Sequence, residues 1–203
     1  MFLNKNISKY LYLIYSGFIT VFLITLLISC EQKTIEMKSL SGKELIERGK
    51  FLVMVGGCGD CHTPKVFGPD GPQPDTTKLL SGHPQEIILP KADLSQVEPG
   101  KWILFTQDLT AAIGPWGVSF AANLTPDDET GTGTWQPEMF INAMKKGKHL
   151  GAGRPLMPPM PWQIIGQLPE EDLRAIFAYL KSLPAIKNKV PDPIPMNVLM
   201  SKK

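Results

Sequence analysis

The sequence predicts a mainly α domain whose helices flank a cysteine–histidine motif, with a long inserted loop region that holds short strands. Three observations carry this. A capped amphipathic stretch runs directly into Cys58-Gly59-Asp60-Cys61-His62. A second amphipathic stretch opens on Pro169-Glu170-Glu171-Asp172 and stops before Pro184. Between them lies a segment rich in proline and glycine, which breaks long regular elements, and it contains one short helical pattern from Pro137.

The chain has 203 residues, 43% of them hydrophobic and 20% charged. That is enough for one domain with a buried core, and too apolar for a mainly disordered protein. The formal net charge of +2, from 21 Lys and Arg against 19 Asp and Glu, excludes the clustered basic surplus of a nucleic-acid binder.

In chain order, residues 1–9 carry Lys5 and Lys9 and no acid, and residues 10–29 carry no charge. A basic start before an apolar run reads as a secretory signal, and the run is also long enough to span a membrane. Leu27-Ile28-Ser29-Cys30 resembles the bacterial lipobox, whose cysteine is acylated and becomes the new N-terminus. On that reading residues 1–29 are a lipoprotein signal peptide, Cys30 is the lipidation site and residues 30–40 are a tether. The alternative is an uncleaved signal anchor with Cys30 a bystander. Both place the rest of the chain on a bacterial membrane, facing the periplasm or the outside. Loss of residues 1–29 removes two lysines and leaves 19 basic and 19 acidic residues.

Ser41-Gly42-Lys43-Glu44 fits a capping box, and Leu45, Ile46, Phe51, Leu52 and Val53 follow at helical spacing up to Gly56-Gly57. Residues 63–80 read as loop. Within 86–122, the runs Ile87-Ile88-Leu89, Trp102-Ile103-Leu104-Phe105 and Val118-Ser119-Phe120 predict short strands. Residues 123–134 are turn-rich. The helix from Pro137 places Met139, Phe140, Ala143 and Met144 on one face and stops at Gly147. Residues 151–161 are irregular. The last helix has acids at its positive end and buries Leu173, Ile176, Phe177, Tyr179 and Leu180. Residues 188–203, with Pro191, Pro193 and Pro195, read as an extended tail.

The three cysteines are Cys30, Cys58 and Cys61. Cys58 to His62 is the C-x-x-C-H pattern of c-type haem attachment. Two thiols three positions apart on a helical turn reach the two vinyl groups of one porphyrin, and the adjoining imidazole then lies under the ring. A thioredoxin-like motif needs a preceding strand and a βαβ pattern, which are not evident. A zinc site needs four ligands, and the histidines left are His83 and His149. For the second axial position, Arg154-Pro155-Leu156-Met157-Pro158-Pro159-Met160-Pro161-Trp162 offers two thioethers. Prolines on both sides of Met160 stiffen its backbone and favour it over Met157. His149, His83 or an open site are the remaining choices. Met54, Met139 and Met144 read as core packing.

These stretches together resemble a class I c-type cytochrome, of the monohaem type seen beside bacterial membrane-bound dehydrogenases and in exported lipoproteins. The carrying segments are residues 48–65, 122–135, 153–162 and 168–184. The resemblance implies a cytochrome c fold, with three to five helices around one covalent haem c, over residues 41–187. It implies thioether bonds at Cys58 and Cys61, His62 as proximal ligand and Met160 as distal ligand, with Asn123 and Trp135 along the haem edge. It also implies a crossing of the two terminal helices at Gly49 against Phe177 or Tyr179. The 98 positions from His62 to Met160 depart from the compact pattern and mark residues 66–121 as an insertion.

A haem with both axial positions filled has no place for substrate, so one-electron transfer is the expected function. Redox proteins are then the donor and acceptor, a membrane dehydrogenase or terminal oxidase among them. The alternatives are a haem subunit of a larger dehydrogenase or respiratory complex, and a gas or redox sensor. No Ser/His/Asp set or phosphate-binding glycine loop marks the chain as an enzyme in its own right.

Overall fold

A computed structural model describes residues 15–18 and 42–201 and divides the chain into two units, Met1–Lys38 and Ser39–Lys203. Residues 15–18 are helical, and no helix among the described residues is long and apolar enough to cross a membrane. The rest of the expected signal peptide, Cys30, the expected tether and the expected cap residue Ser41 lie outside the described residues.

The second unit is framed by three helices: α1 (Gly42–Val55), α3 (Pro137–Lys146) and α5 (Glu170–Ser182). Between α1 and α3 comes the single turn α2 (Cys58–His62), and before α5 the short α4 (Trp162–Ile165), which the proline-rich pattern had hidden. The described helix ends carry part of the expected terminal chemistry. Glu44 and Glu138 stand in first turns, Pro137 opens α3, and Gly147 closes it in the left-handed region at φ 64°.

α1 and α5 cross at Gly49, because only a residue without Cβ allows the contact. A Cβ there would lie 1.8 Å from the Ala175 carbonyl oxygen and 2.9 Å from the Tyr179 Cβ. Tyr179 is thus one of the two expected partners. Phe177 instead turns into the core, where it stacks on Phe140 at 5.5 Å. Arg48 adds a two-pronged bond to Asp172 at 2.8 and 3.0 Å across the same crossing.

The core cluster takes Val53 from α1, Phe140, Ile141, Ala143 and Met144 from α3, and Leu173, Ile176, Phe177 and Leu180 from α5, with Leu80 from the insertion. Met144 is core as expected, but Met54 is 69% and Met139 39% exposed. Gly49 and Val53, one turn apart, define the inward face of α1, so Phe51 and Met54 project off it.

The insertion has more order than its composition implied. β1 (Lys65–Gly68) and β2 (Gly71–Pro74) form a hairpin where loop was expected. β3 (Leu104–Phe105), β4 (Ala111–Gly114), β5 (Gly117–Phe120) and β6 (Ile194–Pro195) form an antiparallel sheet in that order. Two expected strands are present, while Ile87–Leu89 forms none. Ile87 is held in a turn on the Pro84 carbonyl at 3.1 Å. β4 was missed because Ala-Ala-Ile-Gly lacks the β-branched enrichment of a strand. The tail is likewise more than extended chain: β6 is the edge strand of the sheet and α6 (Met196–Ser201) follows it. Proline is tolerated in β6 because an edge strand leaves one side unpaired. Its partner Gly117 sits at φ +105°, and a Cβ there would lie 2.1 Å from the Ile194 carbonyl oxygen.

Candidate functional site

α1 ends at Val55, and Gly57, left-handed at φ 63°, turns the chain into α2. That turn sets Cys58 and Cys61 on consecutive faces of one helical turn, both half-buried and both free. Burial pushes both thiols up, against a smaller opposing pull from Lys65 on Cys61. Neither is therefore the acidic thiolate of a disulfide-exchange motif.

His62 is buried, and its Nδ1 lies 2.8 Å from the Ala122 carbonyl oxygen. A carbonyl only accepts, so Nδ1 carries the proton and Nε2 keeps a lone pair. Burial lowers the His62 pKa, with a smaller raising effect from the Ala122 bond, so the ring is neutral at neutral pH. A neutral imidazole with its outer N–H tied back is what a metal-binding histidine needs. Backbone ties fix the segment further. Gly82 N–H donates to the His62 carbonyl at 2.8 Å, and Leu80 N–H to the Thr63 hydroxyl at 3.0 Å. Lys65 reaches three carbonyls, those of Asp60, Thr63 and Asp108.

Cys58, Leu124, Trp135, Leu156 and Met160 all pack against the helical core cluster. The structure thus brings Cys58, Trp135 and Met160 to the border of one apolar mass, while Met157 is not part of that contact set. Two thiols on one turn, an imidazole with one free lone pair and a thioether at the same apolar border fit a single haem. Met160 N–H donates to the Met157 carbonyl at 3.2 Å.

Two other expected residues have local partners. Asn123 is buried with its side chain committed to its own turn and to the segment that follows α5. Its Nδ2 donates to Thr130 Oγ1 at 3.2 Å and the Ile186 carbonyl at 2.8 Å, while Oδ1 accepts from Thr125 N–H at 3.0 Å and Thr125 Oγ1 at 2.7 Å. Trp135 meets His149 edge-on at 5.2 Å. His83 is fully buried against Phe120, with Nδ1 2.7 Å from Thr110 Oγ1. The groups that sequence reading missed are Ala122 and Lys65. Ala122 acts through a carbonyl that every residue has, so no signal could have marked it. A lysine four residues past a C-x-x-C was visible, but its role depends on the insertion.

The family model described as Cytochrome c matches residues 46–184. A nicotinate dehydrogenase subunit of Pseudomonas putida is 35% identical over 147 residues, which are 72% of this chain and 9% of that protein. The cytochrome c subunit of the quinone alcohol dehydrogenase of Gluconobacter oxydans is 35% identical over 152 residues, 73% of this chain and 24% of that one. The cytochrome c subunit of the gluconate 2-dehydrogenase of Pantoea cypripedii is 27% identical over 135 residues, 66% and 22% of the two chains. The chain spans about a quarter or less of the length of these curated relatives.

Proposed function

Because the chain belongs to the cytochrome c family, we propose that it is a membrane-tethered one-electron carrier with one covalent haem c held between His62 and Met160. As a family member it transfers electrons and is not itself an enzyme. When bound, the haem supplies reversible one-electron iron chemistry. The observation that carries the proposal is His62, buried and neutral, with Nδ1–H on Ala122 and Nε2 free.

Cys58 and Cys61 hold the porphyrin covalently, which keeps it in place if an axial bond fluctuates. Met160 is the distal ligand rather than Met157, since it borders the same apolar cluster as Cys58. A thioether favours the ferrous state and raises the reduction potential. Trp135 borders the haem on that cluster, and Asn123 acts at the haem edge by fixing the 123–130 turn. One C-x-x-C-H gives one haem. Cys30 carries the lipid, and two or more acyl chains anchor the domain stably at the membrane. The carrier faces the periplasm and exchanges electrons with redox proteins. A membrane dehydrogenase is the proposed donor, supported by the dehydrogenase names of the relatives, and a terminal oxidase is the proposed acceptor.

A pyridine haemochrome spectrum with intact mass tests haem type, stoichiometry and lipidation together. One haem c per chain and a mass that begins at acylated Cys30 is the expected result. Two haems, or an unprocessed leader, would refute those parts. The same relatives favour a second reading, a permanent haem subunit of a dehydrogenase complex. Co-purification of a catalytic subunit in mild detergent selects that reading over a free carrier.

A further inference from the structure

Residues 158–161 read Pro-Pro-Met-Pro, so this loop has a single backbone N–H, that of Met160, and it is taken by the Met157 carbonyl at 3.2 Å. Such a loop cannot be tied down by its own donors; whatever fixes it must donate to its carbonyls. After Met160, the Ile164 and Ile165 N–H groups of α4 donate to the Pro161 carbonyl at 3.1 and 3.2 Å. Before Met160, the donor comes from the inserted sheet. Ser119 on β5 is buried, and its hydroxyl donates to the Pro158 carbonyl at 2.5 Å. The Trp116 indole N–H approaches Ser119 Oγ at 3.3 Å, which fills an acceptor position and leaves the hydroxyl proton for Pro158. The same extended segment continues to Ala122, about 10 Å further on, whose carbonyl takes the His62 Nδ1–H. One stretch, residues 119–122, therefore touches both axial-ligand segments.

We propose that Ser119 is a positioning residue for the distal ligand: its hydroxyl holds the Pro158 carbonyl so that Met160 stays on the iron against competing ligands. This rests on the His62/Met160 ligation proposed above. The insertion then acts as a brace between the two axial ligands, and the bond from Ser119 sets how readily the distal one is displaced.

The test is imidazole binding to the ferric haem-loaded protein, read alongside the near-infrared Met–iron(III) charge-transfer band. Loss of one part-buried hydrogen bond predicts that Ser119→Ala binds imidazole up to about tenfold more tightly and shows a weakened band. Ser119→Thr, which keeps the hydroxyl, behaves as wild type, whereas a general packing role would not be rescued. Trp116→Phe shifts binding in the same direction by about two- to threefold, and it carries the test should Ser119→Ala fail to mature with haem. If the wild type shows the band and Met160→Ala loses it, but the Ser119 and Trp116 variants bind imidazole as wild type, the brace is refuted and the ligation stands. If the wild type lacks the band, the ligation fails and this inference with it.

Discussion

α1, α3 and α5 supply nine of the ten residues of the core cluster, and none of the buried polar residues lies on them. In the rest of the described domain the proportions reverse. His62, Thr63, Ser81, His83, Asp108, Thr110, Ser119, Asn123, Thr125, Thr132 and Asn188 are all buried there. The two regions therefore reach the site by different physics. The helical frame makes an apolar wall, stabilised in proportion to the area removed from water. The insertion meets the His62 and Pro158–Met160 segments through carbonyls, N–H groups and short polar side chains, where each contact counts for little and an unmade one is costly. Changes in the frame should thus act on the whole fold, and changes in the insertion on the setting of the ligands.

The largest expected effect is at the helix crossing. Gly49→Val places carbon where the Ala175 carbonyl oxygen stands, 1.8 Å from even a first Cβ. The two helices must separate, and a loss above about 3 kcal/mol is expected, or no folded haem-loaded protein at all. Urea unfolding of the purified protein checks this. An unchanged midpoint would mean that the crossing does not organise the frame. Next is Leu180→Ala, which empties a fully buried position in the core cluster. About 2–5 kcal/mol should be lost by the same assay, with the Met–iron band intact in the fraction that remains folded.

The same contrast decides what was legible in the sequence. The frame was readable because its signals are periodic and chemical: a helix-stopping Gly147, acids in the first turn of α5, and an apolar stripe with Leu173, Ile176, Phe177 and Leu180. The cysteines and histidine stood out because C-x-x-C-H is a local spacing that needs no tertiary partner to be seen. The insertion was not. Leu80 is buried at φ 58°, a conformation a leucine rarely adopts, because its N–H is taken by Thr63 Oγ1 and its carbonyl by Leu124 N–H. Nothing in the local sequence Lys78-Leu79-Leu80-Ser81 announces that. The tail was misread for a related reason: β6 is defined by its partner strand β5, far earlier in the chain (Val118 opposite Ile194), not by its own pattern.

A smaller effect is expected where the tail is stitched to the insertion. Asn188 Nδ2 donates to the Ser81 and His83 carbonyls at 2.7 and 2.9 Å, and Oδ1 accepts from Gln85 N–H at 3.0 Å. Asn188→Ala leaves those groups without protein partners and should cost about 1–3 kcal/mol. Amide exchange locates the loss: protection should fall over residues 80–88 and 185–195 and stay unchanged in α1 and α5. Uniform loss across both regions would merge the two into one cooperative unit.

The smallest effect is a pH dependence that belongs to the insertion. Burial lowers the His83 pKa, with Asp108, a backbone bond with Ile87 and then Glu86 acting in the opposite direction. The folded protein therefore binds fewer protons at this site than the unfolded chain, in the window from the ordinary histidine value near 6.5 down to the depressed folded value. Stability rises with pH across that window and is lost as pH falls below about 6.5. Asp108 moves the same way in a lower window. Burial raises its pKa, but bonds from Thr106 and Thr110 outweigh this and leave it below the usual carboxylate value, so its contribution is lost only in stronger acid. One proton sets a ceiling of about 1.4 kcal/mol per pH unit for His83. His83→Gln cannot titrate, so its unfolding free energy should fall less steeply than wild type between pH 7 and pH 5, whatever its absolute stability. Amide exchange at the lower pH should show the loss first around His83, Thr110 and Phe120, since the described core cluster of the frame is entirely apolar. Equal slopes for wild type and variant would show that this histidine takes up its proton without opening the insertion.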